Sequence, residues 1–351
     1  MRTSFQPVGT VSDVAPQSSP AKAKQCLPEE TEHCYENPLR AQLQTFSIDA
    51  LLNPVALNTT STLAIIQIIE ASGRSIDDIS FRYFQGIHLW VPFFCPGRFR
   101  KHLTQYQSQP TAKFSLLLLC MCLLTCDPSE DQRSSFLHTK LYLYAKTFFT
   151  QLQVVLPASA QVVQAGIFIS IYEYAHGEAD KALMTIDNCA RLAYKAGIHW
   201  KPASPGWSEG WNTWWAVRIF ERIFYCETSF PEVPLVTPSL EGEDVLPHEV
   251  DVDKWKQRMD WSDPVAPVRV VSSGCLARAA QAGYLLDRVI KATRSTSASD
   301  CVAALIKLDS ELQFLLSITM DKCHGRRGGH CGAIGISIRF DVAAVSSKIS
   351  C

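Results

Sequence analysis

Apolar residues recur every three or four positions through the middle of the chain, the spacing that places side chains on one face of an α-helix. Glycine, proline or Asp-Pro steps separate one such segment from the next. The sequence contains no series of alternating apolar and polar residues typical of strands. The pattern therefore predicts an all-α fold, with helices over 62–72, 76–90, 99–106, 116–124, 136–152, 159–175, 179–194, 207–224, 273–292 and 299–320.

The most distinct feature is the helix pair 159–175 and 179–194. The turn between them is His176-Gly177-Glu178, and Gly197 follows the second helix at the position where a left-handed glycine commonly ends a helix. Small residues on the second helix favour a close approach between the two.

The segment 207–224 is dense in aromatic residues and is followed by a proline-rich, acidic loop over 230–253. On the same predicted helix, Arg218, Glu221 and Arg222 have two interpretations. They could form ion pairs three or four residues apart, each worth about 0.2–0.5 kcal/mol, or they could anchor the acidic loop.

Three regions differ in composition. Residues 1–40 are rich in Pro, Ser, Gln and Lys with little periodicity, and the pattern over 43–61 is ambiguous, so a disordered leader is predicted over residues 1–60. Residues 61–320 form the predicted multi-helix domain. Residues 321–351 form a Gly-rich, irregular tail, and our hypothesis is that this tail does not belong to the packed domain.

Bulk composition narrows the classes of function. The chain has 351 residues, of which 47% are hydrophobic, and its 33 basic and 34 acidic residues give a net charge of −1. Because affinity for nucleic acid comes largely from clustered Lys and Arg, this balance does not favour direct DNA binding. The longest apolar run, 114–126, is shorter than the ~18 residues of a membrane span, so we expect a soluble protein without a membrane partner.

The cysteines and histidines give little sign of a metal site. The sequence has 13 cysteines and no secretory signal, and Cys120, Cys122, Cys126 and Cys189 lie within apolar patterns. These are predicted to be reduced core thiols. The pairs 323–324 and 330–331 are Cys/His-rich, but they lack the spacing of a tetrahedral zinc site. We predict no metal and no cofactor.

Catalytic motifs for hydrolases, nucleotide-binding enzymes and metalloproteases are missing, so we predict that the protein is not an enzyme and name no catalytic residue. Glu173 and His176 could form an acid–base pair, although polar residues at a helix end are more often capping and surface groups. Aromatic and polar side chains could line a pocket for a small-molecule effector. The alternative interpretation is that the aromatic side chains belong to the hydrophobic core. The candidates are Trp207, Trp211, Trp214, Trp215, Glu173 and His176.

Several segments together resemble the middle homology region, the fungal-specific transcription factor domain, of Zn2Cys6 binuclear-cluster regulators. The resemblance covers roughly residues 60 to 320. Its most specific part is the turn YEYAHG at 172–177, followed by Trp214-Trp215 and Glu221-Arg222, and it is similar to regulators of secondary-metabolite gene clusters. Further matching segments are 83–84, 87–92, 116–119, 163–165, 190–193, 197–199 and 246–247.

This resemblance implies a transcriptional regulator or co-regulator located in the nucleus, with the cytoplasm as an additional location. Residues 1–60 contain two cysteines and no C-x2-C-x6-C pattern, so we expect the zinc cluster to be absent and direct DNA binding to be doubtful. The expected partners are other transcription regulators and a small-molecule effector. The alternatives are a helical biosynthetic enzyme or accessory protein, and a helical-repeat scaffold, which the absence of a 34-residue repeat disfavours.

Overall fold

Ten α-helices and one short 3-10 helix account for the secondary structure of the described residues, and no strand occurs among them. The computed structural model describes residues 53–89, 91–126, 132–203, 208–229, 232–240, 247, 275–294 and 297–323. The helices are α1 Pro54–Ala71, α2 Ile76–Gln85, η1 Ile87–Leu89, α3 Pro96–Ser108, α4 Ala112–Thr125, α5 Gln132–Val155, α6 Ala160–Ala175, α7 Ala179–Lys195, α8 Glu209–Tyr225, α9 Cys275–Thr293 and α10 Ala298–Cys323. The predicted all-α class is confirmed.

The predicted helix pair corresponds to α6 and α7. Gly177 lies between them with a φ of 78°. Its amide donates to the Tyr174 carbonyl, and the Glu178 amide donates to the Glu173 carbonyl, both at 3.0 Å. These two bonds satisfy carbonyls that the end of a helix leaves without partners, and only glycine takes the left-handed conformation at little cost.

Two helix boundaries differ most from the predictions. α1 begins at Pro54, inside the segment predicted as leader, because proline is well suited to the first turn of a helix. α2 ends at Gln85 rather than continuing to residue 90, since Gly86 caps it and η1 follows. The division into leader, domain and tail stays a prediction, because residues 1–52 and 324–351 lie outside the described part of the chain.

Helix α4 is the centre of the first half of the fold. It is apolar all round, and every residue from Phe114 to Leu123 is buried, as expected of a helix surrounded by protein. It packs against α1, α2, α5 and α6. Within the described residues no single helix is long and apolar enough to cross a membrane. The pair α3 and α4 satisfies the length and composition criteria only when taken together, with a bend of 119° between them.

Helix α8 is the centre of the second half. It packs against α6, α7 and α9, and α10 packs on α9. Its buried side chains include three tryptophans and three charged residues. The hydrophobic core is continuous from α1 to α10, so the elements around α8 share one interior with those around α4.

Helix α6 approaches its neighbours closely at Gly166. A Cβ atom placed on this residue would lie 2.3 Å from Cys189 Sγ on α7 and 2.8 Å from Phe149 Cζ on α5. No side chain larger than hydrogen fits there without movement of α5 or α7.

We therefore predict that Gly166→Ala destabilises the protein by about 1–2 kcal/mol, because overpacking outweighs the gain in helix propensity. The matched control is Gly283→Ala in α9, where a new Cβ would meet Ile219 and Leu240 at an ordinary 3.5 Å. The control is expected to be neutral or stabilising by up to about 1 kcal/mol. Denaturant unfolding of both variants checks the prediction, and an unfolding midpoint for Gly166→Ala at or above that of the wild type would contradict it.

Candidate functional site

The predicted aromatic candidates lie in the interior of the protein. Trp211, Trp214 and Trp215 are buried members of the hydrophobic core. The Trp211 and Trp215 rings meet edge to face at 6.2 Å, and the Arg218 guanidinium lies 4.6 Å above the Trp215 ring. Trp207 lies outside the described residues. The three tryptophans thus contribute to the core, and the effector pocket stays a prediction.

Trp214 is the tryptophan nearest to the surface groups of α7. The centroid of its ring lies 5.2 Å from that of the Tyr194 ring and 6.1 Å from that of the His199 ring. Tyr194 is 37% exposed and the adjacent Trp200 is 72% exposed.

Glu173 is the centre of a buried polar cluster that joins three helices. Its carboxylate accepts hydrogen bonds from Tyr142 Oη at 2.7 Å and Lys146 Nζ at 2.7 Å, both on α5. Thr185 Oγ1 on α7 donates to the same group at 2.5 Å. Burial, followed by this contact with the carboxylate, raises the pKa of Tyr142. The cluster holds α5, α6 and α7 together around an ion pair in which Glu173 is buried and Lys146 is partly exposed.

His176 takes a different environment, although it is only three residues away. It is exposed, lies at the C-terminal end of α6, and its Nδ1 is 2.8 Å from the Tyr172 carbonyl oxygen. The centroid of its ring lies 3.9 Å from the centroid of the Tyr172 ring. Glu173 faces the interior while His176 caps the helix, so the structure does not assemble them into an acid–base pair.

A second buried network lies on the C-terminal half of α8. Glu221 accepts hydrogen bonds from the backbone amides of Val236 at 2.5 Å and Thr237 at 3.1 Å, and from Thr237 Oγ1. Arg218 Nη2 donates to the Ser239 carbonyl at 3.1 Å. Of the two interpretations offered by the sequence, the structure supports the second, in which these residues anchor the segment after α8.

Arg222 is the central residue of this network. Its guanidinium is fully buried and donates to Asp287 Oδ1 at 2.8 Å, to Thr237 Oγ1 at 2.6 Å and to the Pro238 carbonyl at 2.6 Å. It also donates to the Arg218 carbonyl at 2.9 Å. Asp287 belongs to α9, where Lys291 pairs with it at 3.1 Å. The network therefore fixes α8, residues 236–239 and α9 in one arrangement.

Asp187 is an acidic neighbour of this network on α7. Burial, and then the nearby Glu221 carboxylate, raise its pKa to about 7, while Arg191 opposes the shift. Its Oδ1 is buried without a hydrogen-bond partner. A carboxylate in this position is unfavourable, and the group prefers to hold a proton.

Several residues of these clusters were not predicted from the sequence, among them Asp287, Lys146 and Thr237. Asp287 interrupts the apolar face formed by Leu286 and Ile290 on α9, and a charged residue at such a position is a signal of burial with a partner. Lys146 and Thr237 carry no comparable signal. No group of three or more His, Cys, Asp or Glu side chains suited to a metal ion occurs within the described residues.

We predict that Asp187→Asn stabilises the protein above pH 7. Because the pKa of Asp187 is higher in the folded than in the unfolded chain, folding takes up a proton between about pH 4 and 7. Stability from this group is therefore present at low pH and lost as the pH rises through 7. Since the side chain is partly exposed, we expect a gain of about 1–2 kcal/mol at pH 8 and little change at pH 4.

Denaturant unfolding at pH 4 and pH 8 measures this difference. The control variant is Asp309→Asn, which removes an exposed carboxylate on α10 and should leave the pH dependence unchanged. An equal effect of Asp187→Asn at both pH values would show that ionisation of Asp187 has no part in it.

Comparison with known proteins gives the family of this helical region. Residues 82–227, from α2 to the end of α8, match the family described as the fungal specific transcription factor domain. The chain is 27% identical over 141 residues to "Transcription factor BOA15" of Botryotinia fuckeliana (strain B05.10), an alignment that covers 40% of this chain and 77% of that relative. No solved structure matches the chain.

The match includes α4, the α6–α7 pair and α8, the helices that form the centre of the core. The family is one of transcription factors rather than enzymes, and it suggests a nuclear location. Residues 82–227 of this chain are therefore similar to the fungal specific transcription factor domain, and this similarity supports a role in the regulation of transcription.

Proposed function

We propose that the protein is a regulator or co-regulator of a fungal gene cluster of the secondary-metabolite type, acting in the nucleus. The observation that carries the proposal is the family match over residues 82–227. The similarity to a relative named as a transcription factor supports it. The retention of a single core through all of the matched helices argues that the domain is intact.

The protein acts through partners rather than through its own contacts with DNA. A net charge of −1 provides no electrostatic attraction to phosphate. Two arginines of α8, Arg218 and Arg222, are buried and bind groups of the same chain, so they are not available to a nucleic acid. The partners we propose are other transcription regulators.

A small-molecule effector is the second kind of partner. Its proposed site is the edge of α8 where Trp214 meets Tyr194 and His199. Ring surfaces of this kind hold flat apolar ligands well. An effector bound there would contact α7 and α8 together, and α8 is the helix that holds the Arg222 network.

Transcript sequencing of a strain in which this gene is deleted tests the proposal. The comparison is made with the parent strain under conditions that express the surrounding genes. We expect a contiguous set of neighbouring genes to change together, and we expect a reintroduced wild-type gene to restore their transcripts.

The opposite outcome is equally specific. Unchanged transcripts together with accumulation of a metabolic intermediate would overturn the regulatory function and identify a biosynthetic protein. Reintroducing the gene with Glu173→Gln and His176→Ala serves as the matched test of the two candidate polar residues. In a regulator these substitutions act only through stability, whereas in an enzyme that used this pair the intermediate would accumulate at normal protein levels.

A further inference from the structure

Two thiols approach each other where α4 ends. Cys122 Sγ lies 3.9 Å from Cys126 Sγ and 3.6 Å from Ser72 Oγ, at the end of α1. Cys122 is fully buried and Cys126 is half-buried. Cys120, Cys122 and Cys189 are buried as the apolar pattern predicted, whereas Cys126, which was predicted with them, is only half-buried.

The backbone is suited to a bond between these two sulfurs. The Cys126 amide donates to the Cys122 carbonyl at 3.0 Å, so the residues are one helical turn apart. That spacing places their Cα atoms about 6 Å apart, within the range of about 4.4–6.8 Å found in disulfides. Cys126 is the residue at which the helix ends, with φ −69° and ψ 129°. Side chains at this spacing have Cβ atoms about 5–6 Å apart, whereas a disulfide needs about 3.5–4.5 Å. Because the helix ends at Cys126, this residue can move toward Cys122 by giving up its amide hydrogen bond to the Cys122 carbonyl, and the sulfurs then approach by about 2 Å.

The two thiols differ in pKa and in exposure, and these differences indicate which of them reacts first with an oxidant. The hydrogen bond with Cys126 and burial raise the pKa of Cys122 well above its usual range, although the nearby Arg74 opposes this. Cys126 is the thiol that an oxidant in solution can reach.

We propose that Cys122 and Cys126 form a redox pair that peroxide converts into a disulfide within α4. In the first step the Cys126 thiol gives up its proton and its sulfur attacks one oxygen of hydrogen peroxide. The O–O bond breaks, the sulfur keeps one hydroxyl group as sulfenic acid, and the other hydroxyl group leaves with the proton as water. In the second step Cys122 sulfur attacks the Cys126 sulfur, loses its proton, and releases the hydroxyl group as water. In total two thiols lose two electrons and two protons, and one peroxide is reduced to two waters.

The disulfide changes a contact between two helices. In the reduced protein the Cys122 thiol contacts Ser72, whose own hydroxyl donates to the Ile69 carbonyl at the end of α1. Movement of Cys122 Sγ toward Cys126 withdraws it from Ser72. Oxidation would therefore loosen the attachment of α1 to the central helix α4. This inference goes beyond the proposed function, and its test does not use transcription.

The experiment treats the purified full chain with hydrogen peroxide, blocks the remaining thiols with iodoacetamide, and analyses tryptic peptides without reduction. One peptide, 114–133, contains Cys120, Cys122 and Cys126. We expect this peptide to be two hydrogens lighter, with a single alkyl group at Cys120, and to carry three alkyl groups after treatment with dithiothreitol.

Two variants make the assignment unambiguous. Cys120→Ala is expected to leave the disulfide intact. Cys126→Ser is expected to abolish it and to leave Cys122 alkylated under denaturing conditions, because its partner is gone. Three alkylated cysteines in the treated wild type would overturn the proposal, as would a link from either residue to another cysteine.

Discussion

The Arg222 guanidinium lies in the interior of the protein, and the arrangement of the C-terminal half follows from satisfying it. Transfer of such a charge out of water costs several kcal/mol unless its donors are matched by acceptors. Here Asp287 supplies the counter-charge, with Glu221 at 3.4 Å as a second carboxylate. The carbonyls of Arg218 and Pro238 and the Thr237 hydroxyl accept further hydrogen bonds. Because these acceptors belong to three separate segments, the chain after α8 must return to it and α9 must lie alongside.

The same rule governs the first half of the fold, where Glu173 on α6 is held by Lys146 and Thr185. α6 and α8 therefore each contribute a buried charge whose partners are on neighbouring helices. The family match ends at residue 227, whereas Thr237, Pro238 and Asp287 lie beyond it. The matched domain takes partners for its most buried charge from outside the match, so the physical unit of this regulator extends at least to α9.

The pattern of apolar residues was sufficient to predict the helices, but it was not sufficient to predict the contacts of the buried charged residues. The spacing of apolar residues predicted α4, α6, α7 and α8, because burial of one face is a local property of the chain. It did not predict that Glu173 faces inward and His176 outward, since both lie at the same helix end and only the position of α5 and α7 decides between them. The pairing of Arg222 with Asp287 joins residues 65 positions apart, and nothing local specifies it. The predictions for Trp207, residues 1–52 and residues 324–351 lie outside the described structure.

A double-mutant cycle between Arg222 and Asp287 tests most directly whether their contact organises the fold around α8. The variants are Arg222→Met, Asp287→Leu and the combination, each unfolded with denaturant at pH 7. Each single change removes one member of the buried pair, which leaves Asp287 with Lys291 alone or Arg222 with the Glu221 carboxylate at 3.4 Å. Each is expected to cost about 3–5 kcal/mol. The double variant should cost clearly less than the sum, with a coupling energy of about 2 kcal/mol or more. Additive losses, with a coupling below about 0.5 kcal/mol, would contradict the account and show that α8 and α9 are held by apolar packing alone.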